Sequence, residues 1–287
     1  MRRSSPVLIA LAALCALLLA TAGIARAMEV AATLSQDGTR IEYAAAGTGE
    51  PTLVFIHGWN CDRSYWSAQM QHFAADYRVV AADLAGHGAS GLGRQDYTMA
   101  GFGQDVAAAV TGDSPVILIG HSMGAPVMLE AARLLGDRVL GMVAVDSLHQ
   151  VTDSVPDSSA IEAQVAPLIA DYETTARPFI LNMFVEDTDP ALRDEITRDM
   201  LAANQDVSIS AVRGLMAMNY AKVLADLHVP LVLINSTQRP TDMAALNALY
   251  PGSRLETMAG VGHFLMMEKP AAFNAILEDV IASMRSR

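Results

Sequence analysis

Cysteine is almost absent from this sequence, with two residues in 287, Cys15 and Cys61. Cys15 falls in an apolar N-terminal leader, so a chain trimmed of that leader keeps one thiol and can form no internal disulfide. Nothing around Cys61 forms a catalytic motif, and it reads as a packed or loop residue. Basic residues are also scarce, 19 against 31 acidic ones, and three of the 19 (Arg2, Arg3 and Arg26) belong to the leader. So acidic a balance argues against nucleic acid and anionic membrane surfaces as partners. Charged residues make up only 17% and hydrophobic ones 52%, which is the composition of a folded globule rather than a disordered chain. Beyond the leader there is no internal repeat, no low-complexity segment and no run long enough to span a bilayer. No cluster has metal-ligand spacing and no glycine-rich loop is placed for a dinucleotide, so no cofactor is expected.

The leader itself is "MRRSSPVLIALAALCALLLATAGIARA", with a basic start, an apolar run from Val7 to Ala20 and the small-x-small ending Ala25-Arg26-Ala27. This pattern predicts a secretory signal peptide over residues 1–27, cut after Ala27, and a periplasmic or secreted protein without stable membrane insertion. Leu14 before Cys15 argues against a lipoprotein, and Arg2-Arg3 lack the flanks of a twin-arginine signal.

Short apolar runs alternate with helical patterns along the rest of the chain. "VAATLS" and "RIEYAAAG" predict a hairpin around Asp37-Gly38. "TLVFIHG", "YRVVAADL", "PVILIGHS", "VLGMVAVDS", "VPLVLIN" and "RLETMAG" predict strands, separated or followed by helices near 64–75, 99–110, 123–137 and 242–250 and by a closing helix. Alternation of this kind predicts an α/β fold, a mostly parallel doubly wound sheet covered on both faces. The pattern breaks over residues 147–227, where "SSAIEAQVAPLIADYETTA", "DPALRDEITRDMLAAN" and "VSISAVRGLMAMNY" are helical only. The expected organisation is therefore a core of residues 28–146 and 228–287 with a helical cap, 147–227, over the sheet's carboxyl edge, where ligands bind in open α/β sheets.

"GHSMG", residues 120–124, fits G-x-S-x-G and lies between a predicted strand and a predicted helix. There the glycines permit a sharp turn that exposes the Ser122 hydroxyl, and the following helix points its N-terminus at developing negative charge. Three further segments accompany it in order: "FIHGW", "DLAGHGAS" and "AGVGHFLMMEKP". With these four motifs the chain resembles the α/β-hydrolase-fold superfamily, specifically its serine hydrolases with a helical cap, over nearly all of its length after the leader. The resemblance implies Ser122 as nucleophile, His263 as general base, and an oxyanion hole made by the backbone N–H groups of Trp59 and Met123. His57, just before the Trp59 loop, is read as a structural brace of that turn, and the resemblance makes Asp83 a buried turn residue that satisfies backbone donors. His149 is read either as lining the cap entrance or as a solvated loop histidine.

The acid that should orient His263 is missing from its usual place in that superfamily, just after the strand "LVLIN", where Ser236, Thr237 and Gln238 stand. Strand order points to Asp146 instead. It ends the strand that follows the nucleophile's strand and helix, on the edge expected to carry Ser122, and members of this fold are known to hold the acid there. Asp242 is the rival, although its position after Pro240 suits a helix cap. The resulting expectation is an exported serine hydrolase that cleaves a carboxylic ester or related acyl bond of a small-molecule substrate through an acyl-enzyme. An acyltransferase or perhydrolase with the same triad, or a non-catalytic ligand-binding protein of this fold, are the alternatives. The sequence sets no oligomeric state.

Overall fold

The computed structural model describes residues 28–285, so the expected signal peptide lies outside the described residues. Its frame is one eight-stranded sheet. In chain order the strands are β1 (Glu29–Leu34), β2 (Arg40–Ala46), β3 (Thr52–Ile56), β4 (Val79–Ala82), β5 (Val116–His121), β6 (Val139–Val145), β7 (Leu231–Ser236) and β8 (Arg254–Met258). Their order in the sheet is β1-β2-β4-β3-β5-β6-β7-β8. β1 pairs with β2 and β2 with β4 antiparallel; all other pairings are parallel. Every residue of β3, β4, β5 and β7 is buried, which explains why they read as continuous apolar runs rather than alternating ones. The two edge strands are largely exposed along their length.

The core helices are α1 (Ser67–Phe73), α2 (Met99–Ala109) and α3 (Gly124–Leu135). Between β6 and β7 the described residues contain helices only: α4 (Ser158–Ala170), α5 (Tyr172–Leu181), α6 (Pro190–Leu201), α7 (Gln205–Met216) and α8 (Tyr220–Ala225). After β7 come α9 (Met243–Leu249), the short α10 (Leu265–Glu268) and α11 (Pro270–Arg285). The first of the three helical patterns is split between two helices, and α8 begins only where the third ends. At Asp171 the backbone is extended (φ −154°, ψ 96°) and the side chain accepts from the Thr174 N–H, so it ends α4 and caps α5. Asn219 acts likewise, accepting from the Lys222 N–H to start α8. Asp189 caps α6 with Pro190 in its first turn.

The sheet's register positions the site. His121 pairs with Val145, and Val145 with Ile234. The ladder runs one residue further on both sides of β6: the Ser122 N–H donates to Val145 O (2.9 Å) and the Asp146 N–H to Ile234 O (3.0 Å). Ser122 and Asp146 thus leave neighbouring strands at the same level of the same edge.

Candidate active site

Ser122 sits between β5 and α3 with φ +54°, a left-handed conformation that a non-glycine residue adopts at some cost. The turn closes so tightly that a Cβ on Gly120 would lie 2.3 Å from Gly124 O, and one on Gly124 would lie 2.4 Å from Ile56 O. Both positions must be glycine, and the turn they allow lifts the Ser122 side chain off the sheet edge. The four non-glycine residues with positive φ among those described are Asn60, Ser122, Asp146 and Leu148, all on loops at this edge. Strain gathered in one place fits a functional site.

His263 follows β8 on the loop before α10. Its Nδ1 donates to Asp146 Oδ2 at 2.6 Å. The other carboxylate oxygen, Oδ1, accepts the Ser236 N–H at 2.7 Å. Asp146 is 2% exposed. Burial raises its carboxyl pKa, but His149, His263 and the Ser236 N–H outweigh that effect and hold it well below the usual carboxylate range. With Nδ1 protonated toward Asp146, Nε2 of a neutral His263 is left as the acceptor. Ser122 and His263 line the same two cavities. Among the described residues the Ser122 hydroxyl makes no hydrogen bond, and such contacts commonly tighten only when substrate is bound.

The His263 loop is pinned from three sides. Its N–H donates to Met183 O (2.7 Å), and its carbonyl accepts from His121 Nε2 (2.9 Å). Glu268 accepts the Gly262 N–H at 2.9 and 3.1 Å and the Thr188 hydroxyl at 2.8 Å. Burial, reinforced by the neighbouring His263, pushes the His121 pKa down to about 3, so it stays neutral as a brace.

The loop after β3 carries Trp59. Neither the Trp59 N–H nor the Met123 N–H meets a backbone acceptor among the described residues, although both residues are buried. Two donors left open at the mouth of a cavity suit a developing oxyanion. The Trp59 indole donates to Ser208 O (3.0 Å) and meets Phe179 edge-on, with ring centroids 5.9 Å apart. Asn60 ties the same loop to the helical segment, donating to Met200 O (2.9 Å) and accepting from Ser208 Oγ (2.6 Å). His57 braces the loop from below: Nδ1 donates to Gly58 O (2.8 Å) and Nε2 accepts the Leu84 N–H (3.0 Å). Asp83 accepts the Arg63 and Ala89 N–H groups (2.9 and 2.8 Å) and pairs with the Arg63 guanidinium, away from His263. Asp242 accepts the Ala245 N–H at 2.9 Å as the cap of α9.

A model of the alpha/beta hydrolase family matches residues 53–276, which include every residue just described. The chain belongs to that family. Among curated relatives of this chain is the dihydrolipoyllysine-residue acetyltransferase component of the acetoin cleaving system of Cupriavidus necator. It is 29% identical, over 84% of this chain but only 66% of that one. A non-heme haloperoxidase of Rhodococcus erythropolis is 33% identical over 45% of this chain and 49% of its own. Among solved structures, a proposed aryl esterase from Burkholderia cenocepacia superposes with a TM-score of 0.74 at 27% identity, over 90% of this chain and 100% of that one.

Within the site, sequence reasoning missed a second histidine beside Asp146. His149 Nε2 lies 3.7 Å from Asp146 Oδ1, within ion-pair range but beyond a hydrogen bond, and it has no other partner among the described residues. A chain of hydrogen bonds reaches its other ring nitrogen. Asn235 Oδ1 accepts the Ser147 N–H (3.2 Å), so its Nδ2 donates to Thr241 Oγ1 (2.9 Å). Thr241 Oγ1 lies 3.2 Å from His149 Nδ1; the tautomer with the proton on Nε2 lets the Thr241 hydroxyl donate to Nδ1 and turns an N–H toward the carboxylate. Nothing in the sequence pattern signals this arrangement, because it joins a β6 loop to a β7 loop.

The larger cavity at the site has a volume of about 350 Å³. Trp59, Leu168, Phe179, Met183, Val212 and Leu215 are among its walls, and no Asp, Glu, Lys or Arg lines it.

Proposed function

We propose that the chain is an exported serine hydrolase that cleaves a carboxylic ester, with Ser122 as nucleophile, His263 as general base and Asp146 as the acid that orients it. The observation that carries this reading is the 2.6 Å contact between His263 Nδ1 and Asp146 Oδ2, beside a serine held on a strained turn in the same cavity. His263 Nε2 takes the Ser122 proton as Oγ attacks the carbonyl carbon. The Trp59 and Met123 N–H groups receive the negative charge that develops on the carbonyl oxygen. His263 then gives its proton to the departing alkoxide, and water repeats the sequence on the acyl-enzyme. Asp146 stays ionised throughout and stabilises the imidazolium.

Residues 147–227 serve as a cap in this reading, and their helices supply most of the apolar wall that receives the acyl chain. The leader over residues 1–27 would carry the protein out of the cytoplasm, with a mature N-terminus at Met28 as the check. Incubation with a fluorophosphonate probe tests the nucleophile. Ser122 should be the residue labelled, and Ser122→Ala should lose orders of magnitude in turnover of short p-nitrophenyl esters. Labelling that persists in Ser122→Ala would overturn the reading. The relatives named above include an acetyltransferase component and a haloperoxidase, so the same assay with added alcohol or peroxide measures how the acyl-enzyme divides between water and another acceptor.

A further inference from the structure

Two cavities meet at the candidate nucleophile, and their chemistry differs. Both are lined by Ser122, Phe179, Met183 and His263. The larger also touches Gly58, Trp59 and Met123, the oxyanion side, and is otherwise mainly apolar. The smaller, about 270 Å³, touches none of these three; its remaining walls are Asn182, Gln238 and Arg239. In ester hydrolysis the leaving oxygen departs toward the general base. The arm that shares His263 but not the oxyanion side is therefore the one facing the alcohol portion.

That arm has a single cation. Arg239 is exposed and forms no ion pair or hydrogen bond among the described residues. Gln238 Nε2 donates to Phe184 O (3.2 Å), which ties the loop after β7 to the segment that carries Asn182 and Met183. Arg239 and the Asn182 amide are thus left as donors. The chain as a whole carries a net charge of −12, so its general field repels anions. Any preference for an anionic group must come from a local cation.

We propose that this arm is a leaving-group subsite for an alcohol bearing a carboxylate, with Arg239 as its counter-ion. The inference rests on the hydrolase reading above. The Ser122 Oγ–acyl bond forms, the acyl–oxygen bond breaks, and the hydroxy acid leaves with the proton first taken from Ser122. Water then releases the acyl group as a free acid and restores Ser122.

Two esters of one acid provide the test: butyl hexanoate and 4-(hexanoyloxy)butanoate, which differ only in the terminal methyl or carboxylate of the alcohol. Hexanoate release gives kcat/KM for each, in wild type, Arg239→Gln, Arg239→Glu and Ser122→Ala. The wild type should favour the anionic ester. The ratio of anionic to neutral should fall about fivefold in Arg239→Gln and further in Arg239→Glu, the size expected for one solvent-accessible ion pair. Ser122-dependent turnover with an unaltered ratio, or a wild type that favours the neutral ester, overturns the subsite alone. Turnover that is absent or survives Ser122→Ala overturns the hydrolase reading and the subsite with it.

Discussion

Replacing Asp146 by asparagine should abolish most of the activity without unfolding the protein, and the hydrogen bonds around it say why. Oδ1 accepts a backbone N–H, that of Ser236, and Oδ2 accepts Nδ1–H of His263. Asparagine must offer its carbonyl oxygen to one and its amide to the other. The Ser236 N–H cannot rotate away, because its strand is held by β8 and the next residue, Thr237, is bonded to Met258 O (2.9 Å). The side-chain carbonyl of the introduced asparagine therefore turns to Ser236, and its amide faces His263 Nδ1. Two donors would then oppose each other unless the histidine moves its proton to Nε2, where it points toward Ser122 and can no longer accept. In a comparable triad this wrong tautomer lowers kcat on the order of 10⁴-fold, about 5 kcal/mol of barrier. The backbone bonds at this position survive, so the loss of stability should stay within about 2 kcal/mol. The assay is kcat/KM on p-nitrophenyl hexanoate, read beside circular dichroism and a urea midpoint. A folded Asp146→Asn protein within tenfold of wild type would refute the tautomer argument.

Four further outcomes follow from named contacts. Asp242→Ala should cost about 1 kcal/mol through the lost cap of α9 and leave ester turnover within twofold, measured by urea unfolding and the same assay. Acyl chain length should raise kcat/KM about fourfold per methylene, about 0.8 kcal/mol each, until the cavity of about 350 Å³ is full; a series of p-nitrophenyl esters showing no such slope refutes the acyl assignment. Arg94→Met should destabilise by about 3 kcal/mol in urea, because it strands the fully buried Asp105 carboxylate that the guanidinium bonds at 2.6 and 3.1 Å. Burial, reinforced by neighbouring His57, pushes the His87 pKa down to about 3, below about 6.5 for the unfolded chain. The unfolded state therefore binds the extra proton, and stability present above pH 6.5 is lost as pH falls, by up to about 1.4 kcal/mol per pH unit for this residue. Unfolding measured between pH 6.5 and 4.5, above most carboxylate titration, should show a shallower slope in His87→Gln.

The strands and the nucleophile turn were legible because each leaves a local mark. Buried parallel strands must be apolar on both faces, and Gly120 and Gly124 are imposed because a Cβ at either would lie 2.3 or 2.4 Å from a backbone oxygen. That Asp146 leaves the same edge as Ser122 was legible from strand order, since a parallel sheet fixes which edge a residue leaves from. Other features depend on pairs of distant loops and leave no such mark. The two breaks in the helical segment rest on single side chains, Asp171 and Asn219, which a helical periodicity passes over. The contacts of His149 run through Thr241 to Asn235, which lie beyond the whole helical segment in sequence. Glu268 sits inside a motif, yet its partners, Gly262 and Thr188, become apparent only when the helical segment is folded over the loop.

The place of the acid and the character of the loop after β7 have one structural explanation. A carboxylate on β6 must reach across the end of β7 to meet a histidine that follows β8, so β7 has to end in something small that can support it. Ser236 meets both needs, with a buried side chain and an N–H that donates to the carboxylate. An aspartate in place of Ser236 would instead set a second buried charge against Asp146, and two carboxylates so close cannot both stay ionised. Once the acid stands on β6, the residues beyond Ser236 are released from holding the histidine. Thr237 continues the pairing with β8, Gln238 fastens the loop to Phe184, and Arg239 is left facing the cavity beside His263. In the proposed triad the absence of an acid in "NSTQ" is thus the local consequence of where the carboxylate sits, and the loop that would otherwise have positioned His263 becomes a wall of the cavity.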